Sequence, residues 1–418
     1  MSSFSTISVI GMGYIGLPTA AMFAANGVNV IGVDVNQGTV DTINAGQVHI
    51  VEPDLDAAVS TAVRDGSLRA TIIPEPADAF LIAVPTPFKG DDHEPDLRFI
   101  EAAAQSIAGV LEPGNLVILE STSPVGATEQ MADWLAAARP DLSFPATHGA
   151  SSDIRIAYCP ERVLPGKVMK ELITNDRVIG GMTAPCSAAA AALYQAFVTG
   201  ECVIASNPRV AEMTKLTENS FRDVNIAFAN ELSVISAQMD IDVWELIRLS
   251  NRHPRVNVLQ PGPGVGGHCI AVDPWFIVSS AEGQARLIET ARRVNDAKPE
   301  WVLDKVQAAI GAFLLQHAHK AAKDVSLSVY GLSFKPDIDD LRESPALDIA
   351  RRLASAHPTP VQVVEPNIAA LPEGLENATL VDEQQARGAD IHVMLVDHKQ
   401  FKGSTPPKGQ IVDTRGVW

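Results

Sequence analysis

A chain of 418 residues exceeds one ordinary domain and points to two or three, with ample length to bury a core. Hydrophobic residues make up 46% and charged residues 20%, a soluble globular profile, and 32 basic against 50 acidic residues leave −18, which argues against a nucleic-acid or anionic-membrane surface. The four cysteines, at 159, 186, 202 and 269, have neither metal-site nor disulfide spacing, so no metal and a reducing cytoplasm are expected, and no stretch reads as a leader or a membrane span.

Residues 7–10 read as a strand, followed by Gly-Met-Gly-Tyr-Ile-Gly and an Ala-rich helix reaching Asn26. Strand, Gly-x-Gly-x-x-Gly, helix is the dinucleotide fingerprint. Gly11 allows the tight turn, Gly13 lets a pyrophosphate approach the backbone, and Gly16 lets helix pack on strand, with Tyr14 and Ile15 at the mouth of the turn. A second strand, 28–33, ends in Asp34, about twenty residues into the motif, where a carboxylate receives the ribose hydroxyls of NAD and repels the extra phosphate of NADP. The alternative is an ordinary glycine-rich turn with a solvated aspartate.

Strands at 79–84 and 116–119, with a helical pattern over 97–111, continue a βαβ order and predict a parallel sheet. Both end in polar turns, one holding Thr86 and the other Thr122, at the carboxyl edge where ligands bind in open α/β sheets. These threonines can equally be turn hydroxyls serving their own backbone. An irregular polar stretch, 143–166, contains Ala-Tyr-Cys-Pro-Glu-Arg with Glu161 and Arg162; residues 177–181, 187–197 and 201–204 then read as strand, helix and strand.

Residues 207–237 keep helical apolar spacing, and Lys215 and Asn219, four apart, project from one face. That face is either solvated or functional. Helical patterns recur at 243–249 and 285–297, and past Pro299 at 301–315. Between them Arg252, His253 and Arg255 precede a loop, 261–274, that sets Gly262, Gly264, Gly266 and Gly267 around Cys269. Glycines free the backbone for left-handed angles and close approach. The run after Cys269 can begin a helix whose dipole favours the thiolate, with Asp273 one turn on; the bland reading is a buried, inert thiol.

A polar stretch, 317–323, leads into a strand at 326–330 and a loop containing Phe334, Lys335 and Arg342. A helix at 347–354 and strands at 361–364, 392–395 and 410–413 complete a second α/β sheet, closed by a segment holding Arg415. The expected domains are 1–206, 207–320 and 321–418.

The Cys269 segment from His253 to Phe276, the Gly11 fingerprint, Glu161 in Pro-Glu, Lys215-x-x-x-Asn219 and Lys-x-x-x-x-Asp-x-Arg-Glu-Ser-Pro from Lys335 resemble, in order, the motifs of the UDP-glucose/GDP-mannose dehydrogenase family. The resemblance covers essentially the whole chain. It implies an α/β protein with an N-terminal Rossmann-like parallel-sheet domain, a central all-helical dimerisation region and a C-terminal nucleotide-sugar-binding domain. It implies a nucleotide-sugar 6-dehydrogenase that takes a C6 hydroxyl to a carboxylate with NAD, in a homodimer.

In that family's terms Cys269 forms a thioester, Lys215 and Asn219 shape the oxyanion site, and Asp273 or Glu161 activates water. Thr86 and Thr122 lie beside nicotinamide and substrate, and Lys335 and Arg342 supply phosphate and active-site cations, placed with the cofactor contacts. Glu161, Arg162, Lys215, Asn219, Arg252, His253, Arg255, Gly266, Phe334, Lys335 and Arg415 then touch the UDP-sugar. Two rivals remain open: a two-electron dehydrogenase in which Lys215 moves the proton and Cys269 is idle, and a silent NAD-binding regulator with Cys269 as a redox sensor.

Overall fold

Unbroken apolar runs form the central strands, because helices cover both faces of the sheets they build. A computed structural model describes residues 4–90, 93–164, 166–267, 269–281 and 283–418; His268, in the glycine run, lies outside them. The strands are β1 (Thr6–Ile10), β2 (Asn29–Val33), β3 (Leu68–Thr71), β4 (Ala79–Ile82), β5 (Phe88–Lys89), β6 (Glu94–Pro95), β7 (Leu116–Leu119), β8 (Arg155–Tyr158), β9 (Arg177–Gly181), β10 (Cys202–Ile204), β11 (Leu327–Tyr330), β12 (Val361–Val364), β13 (Ala378–Leu380), β14 (Ile391–Met394) and β15 (Gln410–Asp413). All four residues of β4, β7, β11 and β14 are buried.

The first sheet has eight strands in the order β10-β9-β8-β7-β4-β1-β2-β3. It is parallel from β3 to β8, but β9 runs antiparallel to β8, with Ala157 opposite Gly181 and Tyr158 opposite Gly180. The parallel sheet expected from the βαβ order is found over β1, β2, β4 and β7, and the reversal comes beyond them: the seven-residue helix Val168–Thr174 returns the chain to the sheet edge it left, so no crossover forms. The second sheet, β13-β12-β11-β14-β15, is parallel throughout. In both, strand order reverses beside the first strand, β1 or β11, which opens a crevice at the carboxyl edge.

Two 31-residue helices, Pro208–Gln238 and Arg286–Gln316, carry the middle of the chain. The second corrects the expected break, since Pro299 sits inside one continuous helix. A proline there removes one backbone hydrogen bond, but anchorage on both sides outweighs it. Arg292 and Asn295 are buried and bond Asp223 at 2.7 and 2.8 Å, while Val302, Val306 and Phe313 enter the core of the second sheet. The chain divides into two compact units, 1–218 with 275–280, and 219–274 with 281–418, so the helical residues are shared between them.

Candidate active site

In the first unit, β1 runs into Gly11 at φ +92°, whose N–H donates to Val33 O at 2.8 Å. A Cβ on Gly16 would stand 1.8 Å from Gly11 O, so Gly16 is required for helix to meet turn. Gly13 is different: a Cβ there meets nothing within 4 Å. The open space above it is where a pyrophosphate would lie against bare backbone, ahead of the helix Gly16–Ala25 that Ile15 caps and beside the exposed Tyr14.

Asp34 follows β2. Its carboxylate accepts from Met12 N at 3.0 Å and Asn36 N at 2.9 Å while staying partly exposed. Beyond it Val35 is exposed and Asn36 caps the helix Gln37–Asn44, so the residues that follow Asp34 in the chain bring no positive charge for a 2′-phosphate. After β4, the Thr86 hydroxyl is buried without a hydrogen-bond partner among the described residues, a donor left for a ligand. Ser121 ties the neighbouring strand end in place, donating to Val84 O at 2.6 Å, and Thr122 follows it, half-buried. The fit is to a dinucleotide with free ribose hydroxyls.

Three residues past β8, Glu161 is buried and paired with the equally buried Arg177, 2.6 Å from Nη1 to Oε2. Its other oxygen accepts from Arg162 N at 2.6 Å. The Arg162 side chain pairs with Glu218 at 2.6 Å and donates to Asp176 O at 3.0 Å. Lys215 is buried, one helical turn before Asn219. The reading from sequence missed Arg177 and, after β7, Glu120; their signal is a charged residue at either end of an apolar strand.

The second unit's segment 219–274 holds Cys269 and Asp273, and the helix Asp273–Ser280 starts at Asp273, later than the run after Cys269 suggests. Cys269 lies on the preceding turn, and its carbonyl accepts from Asp273 N at 2.8 Å. Of the four cysteines, 159 and 186 are buried, 202 is partly so and Cys269 is exposed, which removes the reading of a buried inert thiol. Asn219 donates to Asp273 Oδ2 at 2.5 Å, joining two of the expected residues across 54 positions.

The glycines of this loop serve packing. A Cβ on Gly266 would meet Glu343 O at 2.3 Å and Phe334 Cβ at 2.9 Å, and one on Gly267, at φ +84°, would meet the Phe334 ring at 2.9 Å. Asn230 Oδ1 accepts from Gly262 N at 2.9 Å, and Arg415 Nη1 donates to Pro261 O at 3.2 Å while pairing with Asp397 at 2.6 Å. A pocket lined by Pro263, Gly264, Ser333, Phe334, Leu395 and Arg415 opens beside these residues, at the carboxyl edge of β11 and β14. Lys335 is half-buried on the same loop as Phe334, and the exposed Arg342 pairs with Asp340 at 2.6 Å. Arg252, His253 and Arg255 are exposed on a loop that Asn251 closes, bonding Val258 N and O at 2.7 and 2.9 Å. Among the described residues no helix is long and apolar enough to cross a membrane.

Three family models match in chain order: the NAD binding domain of the UDP-glucose/GDP-mannose dehydrogenase family over residues 5–198, its central domain over 209–297 and its UDP binding domain over 328–418. The chain is similar to the UDP-N-acetyl-D-mannosamine dehydrogenase of Yersinia pestis, 66% identical over 421 residues and the full length of both. It is similar to the NDP-N-acetyl-D-galactosaminuronic acid dehydrogenase of Ralstonia nicotianae, 60% identical over 99% of this chain and 96% of the relative. Among solved structures, that of a UDP-D-ManNAc dehydrogenase from Pyrococcus horikoshii matches with a TM-score of 0.86 and 36% identity, covering 99% of this chain and 96% of that one.

Proposed function

Because the chain belongs to the UDP-glucose/GDP-mannose dehydrogenase family and is an NAD-dependent nucleotide-sugar dehydrogenase, we propose that it oxidises the C6 hydroxyl of UDP-N-acetyl-D-mannosamine to UDP-N-acetyl-D-mannosaminuronate. The observation that carries this reading is the 66% identity over full length with the Yersinia pestis relative. The product is a building block for surface polysaccharide, made in the cytoplasm. One alcohol and one water give one carboxylate, two hydrides and three protons, and NAD, when bound, accepts a hydride in each of two rounds.

The chain's residues take the remaining roles. Asp34 holds the ribose hydroxyls, Gly13, Tyr14 and Ile15 meet the pyrophosphate, and Thr86 and Thr122 orient the ring and the sugar. Lys215 and Asn219 hold the negative oxygen that develops at C6. The Cys269 thiolate adds to the aldehyde, and loss of the second hydride leaves a thioester on its sulfur. Water then cleaves it, activated by Glu161 or by Asp273. The UDP end is met by Phe334, Lys335, Arg342 and Arg415, and Arg252, His253 and Arg255 read the sugar or its phosphates. Cofactor binding is assigned to residues 1–206, thiol chemistry and a dimer contact to 207–320, and the UDP group to 321–418. Support for a homodimer is the outward row Phe221, Phe228 and Ile235 at seven-residue spacing on a helix that buries the polar Ser220, Asp223, Asn230, Ser233 and Ser236.

Two measurements test the reading. NADH formed per sugar should be two, with UDP-N-acetyl-D-mannosamine preferred over UDP-N-acetylglucosamine, UDP-glucose and the N-acetylgalactosamine nucleotides to which the Ralstonia relative's name points. In Cys269→Ala, acid formation should fall by several orders of magnitude, more than the roughly 10²–10⁴-fold of a lost general base, and the acyl adduct on the Cys269 peptide should vanish from the mass spectrum. One NADH per sugar, or acid made by the alanine variant at the parent rate, would promote the two-electron rival.

A further inference from the structure

At the carboxyl edge of β7 and β8 the first unit buries two carboxyls and one cation. Glu120, Glu161 and Arg177 are 1%, 7% and 2% exposed. Arg177 is committed to Glu161 through the 2.6 Å contact, and the face of its guanidinium lies 4.9 Å from the centroid of the Tyr194 ring. Glu120 has no such contact. Its Oε1 accepts from the Tyr194 hydroxyl at 2.8 Å, and its Oε2 meets no hydrogen-bond partner among the described residues.

An ionised carboxylate so placed loses its water without gaining a direct ion pair or a full set of donors. Burial pushes the Glu120 carboxyl up to about 7; Arg177 opposes this, Glu161 reinforces it and the Tyr194 hydroxyl opposes it. Two thiols and a phenol also face the cluster. Burial raises Cys159 to about 12, lifts Tyr194 well above the ordinary phenol and raises Cys202, beside which Asp176 stands.

We propose that Glu120 is a positioning residue for Glu161: the two carboxyls share the buried cation Arg177, Glu120 carries the one proton of the pair, and its neutrality reserves Arg177 for Glu161. The proposal rests on the reading of Glu161 as a water-activating group. When Glu120 gives its proton to solvent, two anions face one cation and Arg177 is drawn off Glu161. Thioester cleavage, which uses Glu161, then slows as pH rises. The hydride steps, which do not use it, keep their own profile.

The experiment follows decay of the acyl adduct in a single turnover, together with the infrared stretch of a protonated carboxyl. Between about pH 6 and about pH 8 the parent should lose at least about threefold in decay rate, and the carboxyl band should disappear over the same range. Glu120→Gln should show neither the bend nor the band. Tyr194→Phe removes the donor that favours the carboxylate and should move the bend to higher pH, which keeps the test alive should the glutamine variant fail to fold. The same bend in the parent and both variants, or a band that survives Glu120→Gln, overturns the proposal. A Glu161→Gln variant that clears the adduct at the parent rate overturns the role of Glu161 instead, while the band still reports where the proton sits.

Discussion

The two sheets build their ligand edges from the same parts and put the same chemical group to different uses. β1 runs into Gly11 and β11 into Gly331, at φ +92° and +88°, and each N–H donates at 2.8 Å to the last carbonyl of the neighbouring strand, Val33 or Val364. Each neighbour then ends in an acid, whose carboxylate accepts from the backbone just past the glycine: Asp34 from Met12 N at 3.0 Å, Glu365 from Leu332 N at 2.7 Å. The difference lies in what covers the acid. Asp34 is partly exposed, whereas Glu365 is closed over by the fully buried His398, with Nε2 3.0 Å from its Oε2, and by Asn367. An open carboxylate is accessible to a ligand, the role proposed for Asp34. A covered one holds a loop, here the segment that carries Phe334 and Lys335.

The largest effect should come from uncovering that second acid. Glu365→Ala removes several bonds to a charged acceptor and should cost about 3 kcal/mol or more in urea unfolding, against about 1 kcal/mol or less for Asp34→Ala. Burial works against the Glu365 charge, but His398 and then the N–H of Leu332 outweigh it and hold its carboxyl below the usual range. A lowered folded value gives stability that is complete above the unfolded carboxyl value, about pH 4.3, and is lost as pH falls through the folded one. Glu365→Gln should therefore flatten the acid limb of the stability profile. An unchanged acid limb would mean that Glu365 does not hold the loop.

Asp34 should show the reverse pattern. Replacing it with alanine should lower kcat/KM for NAD by about 10–100-fold, the loss of hydrogen bonds to a charged acceptor worth about 1.5–3 kcal/mol, and should narrow the preference over NADP. A parent enzyme that uses NADP as well as NAD would sink the assignment of this carboxylate.

Asp34 was legible in the sequence and Glu365 was not, for a physical reason. Gly11, Gly13, Gly16 and Asp34 lie within one βαβ unit, so their spacing is set by local geometry. Glu365 and His398 sit 33 residues apart, Asn219 and Asp273 54, and no local period links them. The ion pair between Glu161 and Arg177 depends on β9 lying against β8, a direction that strand composition does not encode. The Pro299 helix was misjudged because tertiary anchors override a local breaker. The glycine setting of Cys269 left a reactive and a buried thiol both open; the thiol is exposed, and the glycines there make room for Phe334 and Pro345.

The smallest effect should separate the two kinds of glycine. A Cβ on Gly331 would meet Val396 Cβ at 2.4 Å in a left-handed backbone, so that glycine is fixed by the fold. Gly13 has neither a clash within 4 Å nor a positive φ, so Gly13→Ala should fold as the parent does and can gain up to about 1 kcal/mol by stiffening the unfolded chain. Its methyl would stand in the open space where the proposed pyrophosphate site meets the backbone. NAD affinity, measured by calorimetry, should fall about tenfold, a change of about 1.4 kcal/mol. Unchanged stability with weakened binding would mark Gly13 as a ligand-facing glycine in a turn whose other glycines serve the chain. Unchanged binding would mean that the pyrophosphate does not cross the turn at Gly13, and the parallel between the two sheet edges would then extend to both being closed.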